Sequence, residues 1–160
     1  MKMRAMLGAM NPDQKHQLDL RQRMRASGLR VTGPRVQVYE LLEHIGGHRA
    51  ADELVDLLHA RGARLSRASV FNVLHDLTRV GLIMLTDAGP GRAMYEVAEK
   101  WHHHFVCRVC GQVYDVECAI GAKPCLDPEL PGTGFEVDEA QVIFRGRCPQ
   151  CAGEPTTSTV

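Results

Sequence analysis

"SRASVFNVLHDLTRVGLIMLTDAGPGRAMYEV", residues 66–97, changes its period halfway along. Up to Gly81 the apolar residues Val70, Val73, Leu74, Leu77 and Val80 recur at three- and four-residue steps, the stripe of an amphipathic helix, and Ser66 stands where a side-chain oxygen caps a first turn. Beyond Gly81, two short strand-like runs flank Gly89-Pro90-Gly91, which reads as a hairpin. A helix that runs into a hairpin is the ending of a winged helix-turn-helix, in which the last helix enters the major groove of DNA and the hairpin lies along the backbone. The same succession also occurs in bundles without a DNA role, because helix-turn-helix geometry is a general packing solution.

Upstream of this stretch the chain reads as three more helices. Residues 13–29 are weakly amphipathic, with Gly28 as a stop. The next helix starts at Thr32, carries Pro34 in its first turn and Val38, Leu41, Leu42 and Ile45 on one face, and ends at Gly46-Gly47. Residues 50–62 repeat the pattern with Leu54, Leu57 and Leu58 before Gly62. Residues 13–97 are therefore expected to form a winged-helix domain and residues 98–152 a second, metal-binding one, with 1–12 and 153–160 as flexible tails. The tail "AGEPTTSTV" has nothing to pack, and "AIGAKPCLDPELPGTG" (119–134) reads mostly as loop.

The formal net charge of zero conceals a division. Residues 1–80 hold 13 Lys and Arg against 8 Asp and Glu, whereas residues 81–160 hold 6 against 11. A basic half suits a polyanion, since neutralising phosphates releases counterions. A solvated helix surface explains the charge equally well. With 160 residues, 44% of them hydrophobic and 24% charged, the chain can bury a core. It contains no run of 18 apolar residues, and its N-terminus shows no signal-type apolar stretch, so a cytoplasmic protein without a membrane partner is expected. Six cysteines in a reducing compartment point to metal or redox work rather than to disulfides.

The second half alternates like strands in "HFVCRV", "QVYDVE" and "FEVDEAQVIFRG". Cys107-x2-Cys110 and Cys148-x2-Cys151 are two thiolate pairs separated by 37 residues. Four thiolates make a closed tetrahedral zinc site, here one that staples the ends of a sheet rather than a local loop. Redox-active CxxC pairs are the rival reading and need a strand-to-helix context that the sequence does not show. If zinc takes the thiolates, the histidines are left for a second ion. His102 and His104, two apart on an extended segment, share a face, with His103 and Phe105 on the other. Glu96 and Asp115 flank them, and an N/O donor set suits Fe(II), Mn(II) or Zn(II); a solvated polar strand is the plain alternative. Cys118 and Cys125 read as inert buried thiols or as an exposed pair open to oxidation.

Taken in order, "RVTGPRVQVYELL", "HRAADELVDLLHARGARLSRASVFNVLHDLTRVGLI", "YEV", "HHHFVCRVCGQVYDVE" and "RCPQC" resemble the ferric uptake regulator family of bacterial metal-dependent repressors over roughly residues 20–151. The resemblance implies an α+β chain: an N-terminal winged helix-turn-helix domain, then a small α/β dimerisation domain with a structural zinc on Cys107, Cys110, Cys148 and Cys151. It implies a homodimer on double-stranded operator DNA and a regulatory Fe(II) or Mn(II) on His48, Glu96, His102, His104 and Asp115. It puts Arg35, Arg67, Ser69, Phe71 and Asn72 on the DNA side. Relatives usually carry Tyr-Arg where this chain has Phe71-Asn72; Phe71 can pack on a thymine methyl and Asn72 can pair with adenine. A further metal site of many relatives falls on Trp101, His103 and Ala140, two of which cannot ligate. Asp115, with "DVECAIGAKPCL" and "GFEVDEAQVIF", resembles the actinobacterial, peroxide-responsive branch that represses catalase-peroxidase genes. That branch implies oxidation at His48 or His102, with the zinc thiolates or Cys118 and Cys125 as the rival redox route. The alternative within the family is a metal-level repressor indifferent to peroxide. An enzyme is not expected: there is no HExxH, and no nucleophile is paired with a base. A zinc-ribbon adaptor for proteins would leave His48 and the basic half without a role.

Overall fold

The computed structural model describes residues 12–89, 92–98, 102–117, 133–134 and 140–153, with side chains from Leu18 onward. The chain divides into two compact units, residues 1–85 with 93–98 and residues 86–92 with 99–160. No described helix is long and apolar enough to cross a membrane.

The first unit packs four helices, α1 (Pro12–Ala26), α2 (Gly33–Ile45), α3 (Ala51–Ala60) and α4 (Arg67–Arg79), beside a three-stranded sheet. The strands are β1 (Arg49–Ala50), β2 (Ile83–Asp87) and β3 (Ala93–Val97), in the order β1-β3-β2. The expected stripes form its core: Val38, Leu41 and Leu42 from α2, Leu54 and Leu58 from α3, and Val70, Val73, Leu74 and Leu77 from α4 are buried. Ile45, Leu57 and Val80, at the ends of those stripes, are only partly buried. Leu20 and Met24 of α1 and Tyr39 of α2 complete the core, so even the weakly amphipathic first helix is anchored. Fully burying one such leucine contributes about 1.5–3 kcal/mol.

Helix α1 ends at Ala26, and Gly28, at φ +79, stops it as expected, with Gly28 N–H donating to Arg25 O and Leu29 N–H to Met24 O. Thr32 precedes α2 in extended conformation, yet its side chain makes no capping bond; Pro34 supplies the preset backbone there instead. Ser66 does cap α4, its Oγ accepting from Ser69 N–H at 3.1 Å. The turn between α3 and α4 is tied by His59, whose Nε2 lies 2.6 Å from Leu65 O.

The second unit holds β4 (His103–Cys107), β5 (Val113–Val116), β6 (Ile143–Gly146) and the short α5 (Pro149–Ala152). Sheet order is β5-β4-β6, with β4 antiparallel to β5 and parallel to β6. Of the run read as one strand over 135–146, residues 143–146 are strand and 135–139 lie outside the described residues. So do Cys118, Cys125 and all of 119–134 except 133–134.

Candidate metal centres and nucleic-acid face

Cys107 ends β4 and Cys148 follows β6, two adjacent parallel strands paired Cys107 to Gly146. Each strand end then turns back on itself. After β4 the chain folds through Gly111 N–H to Cys107 O at 2.8 Å, with Gly111 at φ +72, a conformation that glycine accepts without strain. After β6, Cys148 stands at the N-cap of α5, and that single turn brings Cys151 back. The four Sγ atoms all lie within 4.8 Å of one another, and Cys110 Sγ is 3.8 Å from Cys148 Sγ. A tetrahedron of zinc–sulfur bonds near 2.3 Å has an S–S edge of about 3.8 Å, so the four thiols fit zinc as a closed structural site. A zinc held there would join the C-terminal ends of two strands that are neighbours in space and far apart in sequence.

The thiols are electrostatically unequal. Backbone N–H groups of Cys110 and Cys148 hold the Cys107 thiol down at about 6, and Cys148 N–H lies 3.4 Å from its Sγ. Burial pushes Cys148 up, but hydrogen bonds from the Cys151 backbone and side chain and from Tyr114 outweigh it, and the net shift is downward. Cys151, bonded to Cys148, is pushed up to about 12 without metal. Tyr114 of β5 rises to about 12 through its bond to Cys148 and through burial. Its hydroxyl lies 3.2 Å from Gln112 Oε1 and 3.4 Å from Gln150 Oε1, beside both cysteine turns, a placement its strand did not signal.

The histidines and carboxylates are placed by strand register. In the first unit, Arg49 pairs with Tyr95 and Ala50 with Met94, so extending the ladder by one residue sets His48 opposite Glu96. Gly46 and Gly47, both at φ +61, make the turn that delivers His48 from the end of α2. His48 Nε2 lies 3.3 Å from Glu96 Oε2, and both side chains are buried. In the second unit, His104 pairs with Asp115 across the β4–β5 ladder, which puts them on one face. His102, two residues before His104, brings its ring to 4.7 Å from that of His104 and its Nε2 to 3.5 Å from Asp115 Oδ1. His103 faces the other way and stacks edge-on against Phe144. Buried Thr86 Oγ1 sits 3.2 Å from His104 Nε2 and fixes that ring from behind, a second partner that spacing did not reveal. Each unit therefore offers imidazole nitrogen beside carboxylate oxygen, a donor set that fits a divalent transition metal.

The expected DNA side lies at the start of α4. Phe71 and Asn72 are exposed, Phe71 at 37%. Arg67 covers the Phe71 ring at 5.1 Å and pairs with Asp52 Oδ1 at 2.9 Å. Ser69 belongs to the cap of α4, its Oγ 2.9 Å from that of Ser66. Arg35 is engaged internally: it donates to Asp76 Oδ2 and to Arg30 O, each at 2.6 Å, and so ties the start of α2 to α4. Its guanidinium holds the Asp76 carboxyl below the usual carboxylate range.

A helix-turn-helix with an exposed α4 face, in a chain whose other unit is built around metal donors, defines a metal-responsive transcriptional regulator. Comparison with known proteins narrows the class. The model of the ferric uptake regulator family matches residues 26–143, and the chain belongs to that family. It is 41% identical over 143 residues to the transcriptional regulator FurA of Mycobacterium tuberculosis, covering 87% of this chain and 94% of that one. It is 34% identical over 142 residues to ferric uptake regulation protein 2 of Mycolicibacterium fortuitum, covering 86% and 96%. Among solved structures, the ferric uptake regulator of Pseudomonas aeruginosa with manganese superposes at a TM-score of 0.63 and 26% identity, covering 80% and 96%. The family is one of regulators, not enzymes.

Proposed function

We propose that this chain is a cytoplasmic repressor that binds operator DNA as a homodimer when a regulatory Fe(II) or Mn(II) is present, and that peroxide releases it. The observation that carries the reading is the pair of strand registers that set His48 against Glu96 and His104 against Asp115, with His102 beside them. In this reading His48 and Glu96 of the first unit and His102, His104 and Asp115 of the second hold one ion together. When bound, that ion supplies a shared positive charge to donors from both units. The chain's own contribution is geometric: a metal-loaded dimer favours the arrangement in which two α4 helices meet successive major grooves, about 34 Å apart, and the metal-free chain samples others. Phe71, Asn72 and Arg67 face the duplex, Ser69 holds the turn that presents them, and Arg35 acts through Asp76 on the pose of α4. The four cysteines hold structural zinc and take no part in the switch. A Pseudomonas aeruginosa relative solved with manganese supports the choice of metal.

Peroxide response rests on Asp115 and on the resemblance of the second half to the peroxide-responsive branch. The readout is covalent: one oxygen added to a peptide containing His48 or His102. The second reading, a regulator of metal level alone, is favoured by relatives named for ferric uptake regulation. Mass spectrometry of the Fe(II)-loaded protein after a brief peroxide pulse decides between them. An added oxygen on those peptides, with loss of DNA binding, supports the sensor. Unmodified histidines with retained binding support the metal-level regulator, and linked Cys118 and Cys125 peptides with zinc loss support the thiol route.

A further inference from the structure

The second unit contains an open cavity of about 610 Å³ that touches Cys107 of the cysteine cluster and none of the five His, Glu and Asp donors. Its walls come from the hairpin tip, the end of β4 and the turn after it, and β6. Three guanidinium groups line it, those of Arg92, Arg108 and Arg145, against the single carboxylate of Asp87. That carboxylate is already engaged. Asp87 Oδ1 accepts from Gly89 N–H at 2.9 Å, and Oδ2 lies 3.3 Å from Arg145 Nη2, which also donates to Asp87 O at 3.0 Å. Among the described residues neither Arg92 nor Arg108 has a carboxylate partner, and both are exposed.

The Arg92 guanidinium lies over Gly111 in the cysteine turn, where a Cβ would meet it. Three guanidinium groups against one carboxylate leave an excess of positive charge at the cavity, and guanidinium groups match phosphate oxygens in geometry as well as charge. The volume falls in the range of small-molecule sites, about 300–1,000 Å³, and exceeds what one phosphate fills.

We propose that this cavity is a phosphate-binding site in which Arg92 and Arg108 take the ligand and Arg145, held by Asp87, forms the fixed wall. The phosphate comes either from the backbone of bound DNA or from a free phosphate species. The duplex source rests on the function proposed above, whereas the free source does not. The test uses the full, zinc-loaded chain and the double variant Arg92→Ala/Arg108→Ala, with zinc content and melting temperature confirming that the variant folds. In the first arm, inorganic phosphate is added at ionic strength matched with chloride. A rise in the wild-type melting temperature that the variant lacks assigns the site to a free phosphate species. In the second arm, affinity for a duplex is followed against salt. A decrease of about 1.8 in the magnitude of the slope of log K against log[salt], at about 0.9 for one phosphate no longer neutralised at each of the two sites of a dimer, assigns it to the DNA backbone. A folded variant that matches wild type in both arms overturns the proposal. If wild type binds no duplex under any metal condition, the proposed function fails while the first arm still decides the site.

Discussion

Replacing Cys110 by serine separates the zinc from everything else in the second unit. Cys110 is exposed, so the substitution opens no core cavity, and serine preserves the size of the side chain. What is lost is the fourth thiolate of a closed site and, with the zinc that it no longer holds, the cross-link between the two cysteine pairs. Cys110 and Cys148 are 38 positions apart in sequence, and closing a loop of that length removes about 4 kcal/mol of chain entropy from the unfolded state at 25 °C. The native state gains little elsewhere to offset that loss: β4 and β6 meet over only four residue pairs and approach across a long insert. Against a domain stability of about 5–15 kcal/mol, the loss is large. At about 4–8 °C per kcal/mol for a unit of this size, Cys110→Ser is expected to melt roughly 15–30 °C below wild type. The assay is thermal denaturation followed by fluorescence of the single tryptophan, Trp101, with zinc measured on the same samples. The wild type stripped by a chelator should reproduce the variant. A zinc-free variant that melts within about 3 °C of the loaded wild type would refute the cross-link account, since the loop entropy alone forbids so small a change.

Three further outcomes are expected. His48→Ala and His104→Ala should each abolish metal-dependent DNA binding, measured by anisotropy, while leaving the zinc content at one per chain, because each removes a ligand of the proposed regulatory site and none of the cysteine site. Ser66→Ala should cost about 1 kcal/mol by urea denaturation, since it removes the oxygen that accepts from Ser69 N–H, while Ser66→Thr should retain most of that stability. Asp76→Asn should cost stability only where Asp76 is ionised. Arg35 holds the folded-state value below the usual 3.8, so the contribution is present in full above about pH 5 and disappears as pH falls through the folded-state value. Melting temperatures of wild type and Asp76→Asn are therefore expected to differ at pH 7 and to approach each other as pH falls below the usual 3.8.

The helices of the first unit were legible because each buries a stripe on a solvated chain: Val70, Val73, Leu74 and Leu77 appear as period first and as core afterwards. Metal chemistry was legible for a similar reason, since thiol and imidazole are rare and their spacing carries meaning. The relative positions of these groups were not legible. Strand β1 is two residues long, far below what alternation can reveal, yet it sets His48 opposite Glu96. The parallel pairing of β4 with β6 joins segments across a long insert, and no local pattern encodes a non-local pairing. Thr86 and Tyr114 carry no local signal because their partners, His104 and Gln150, are brought to them by register and by the α5 turn. Arg35 and Arg67 read as free cations for DNA, and only three dimensions show Asp76 and Asp52 beside them.

The most direct test of the account is fluorescence anisotropy with a duplex from the gene's own upstream region and zinc-loaded protein prepared without oxygen. It is measured without further metal, with Fe(II) and with Mn(II), and again after a brief peroxide pulse. The account predicts no binding without the second metal, binding with either one, and loss after peroxide in the Fe(II) form alone. Binding that is equally tight without the second metal would contradict the central claim that the His48, Glu96, His102, His104 and Asp115 donors control access to DNA.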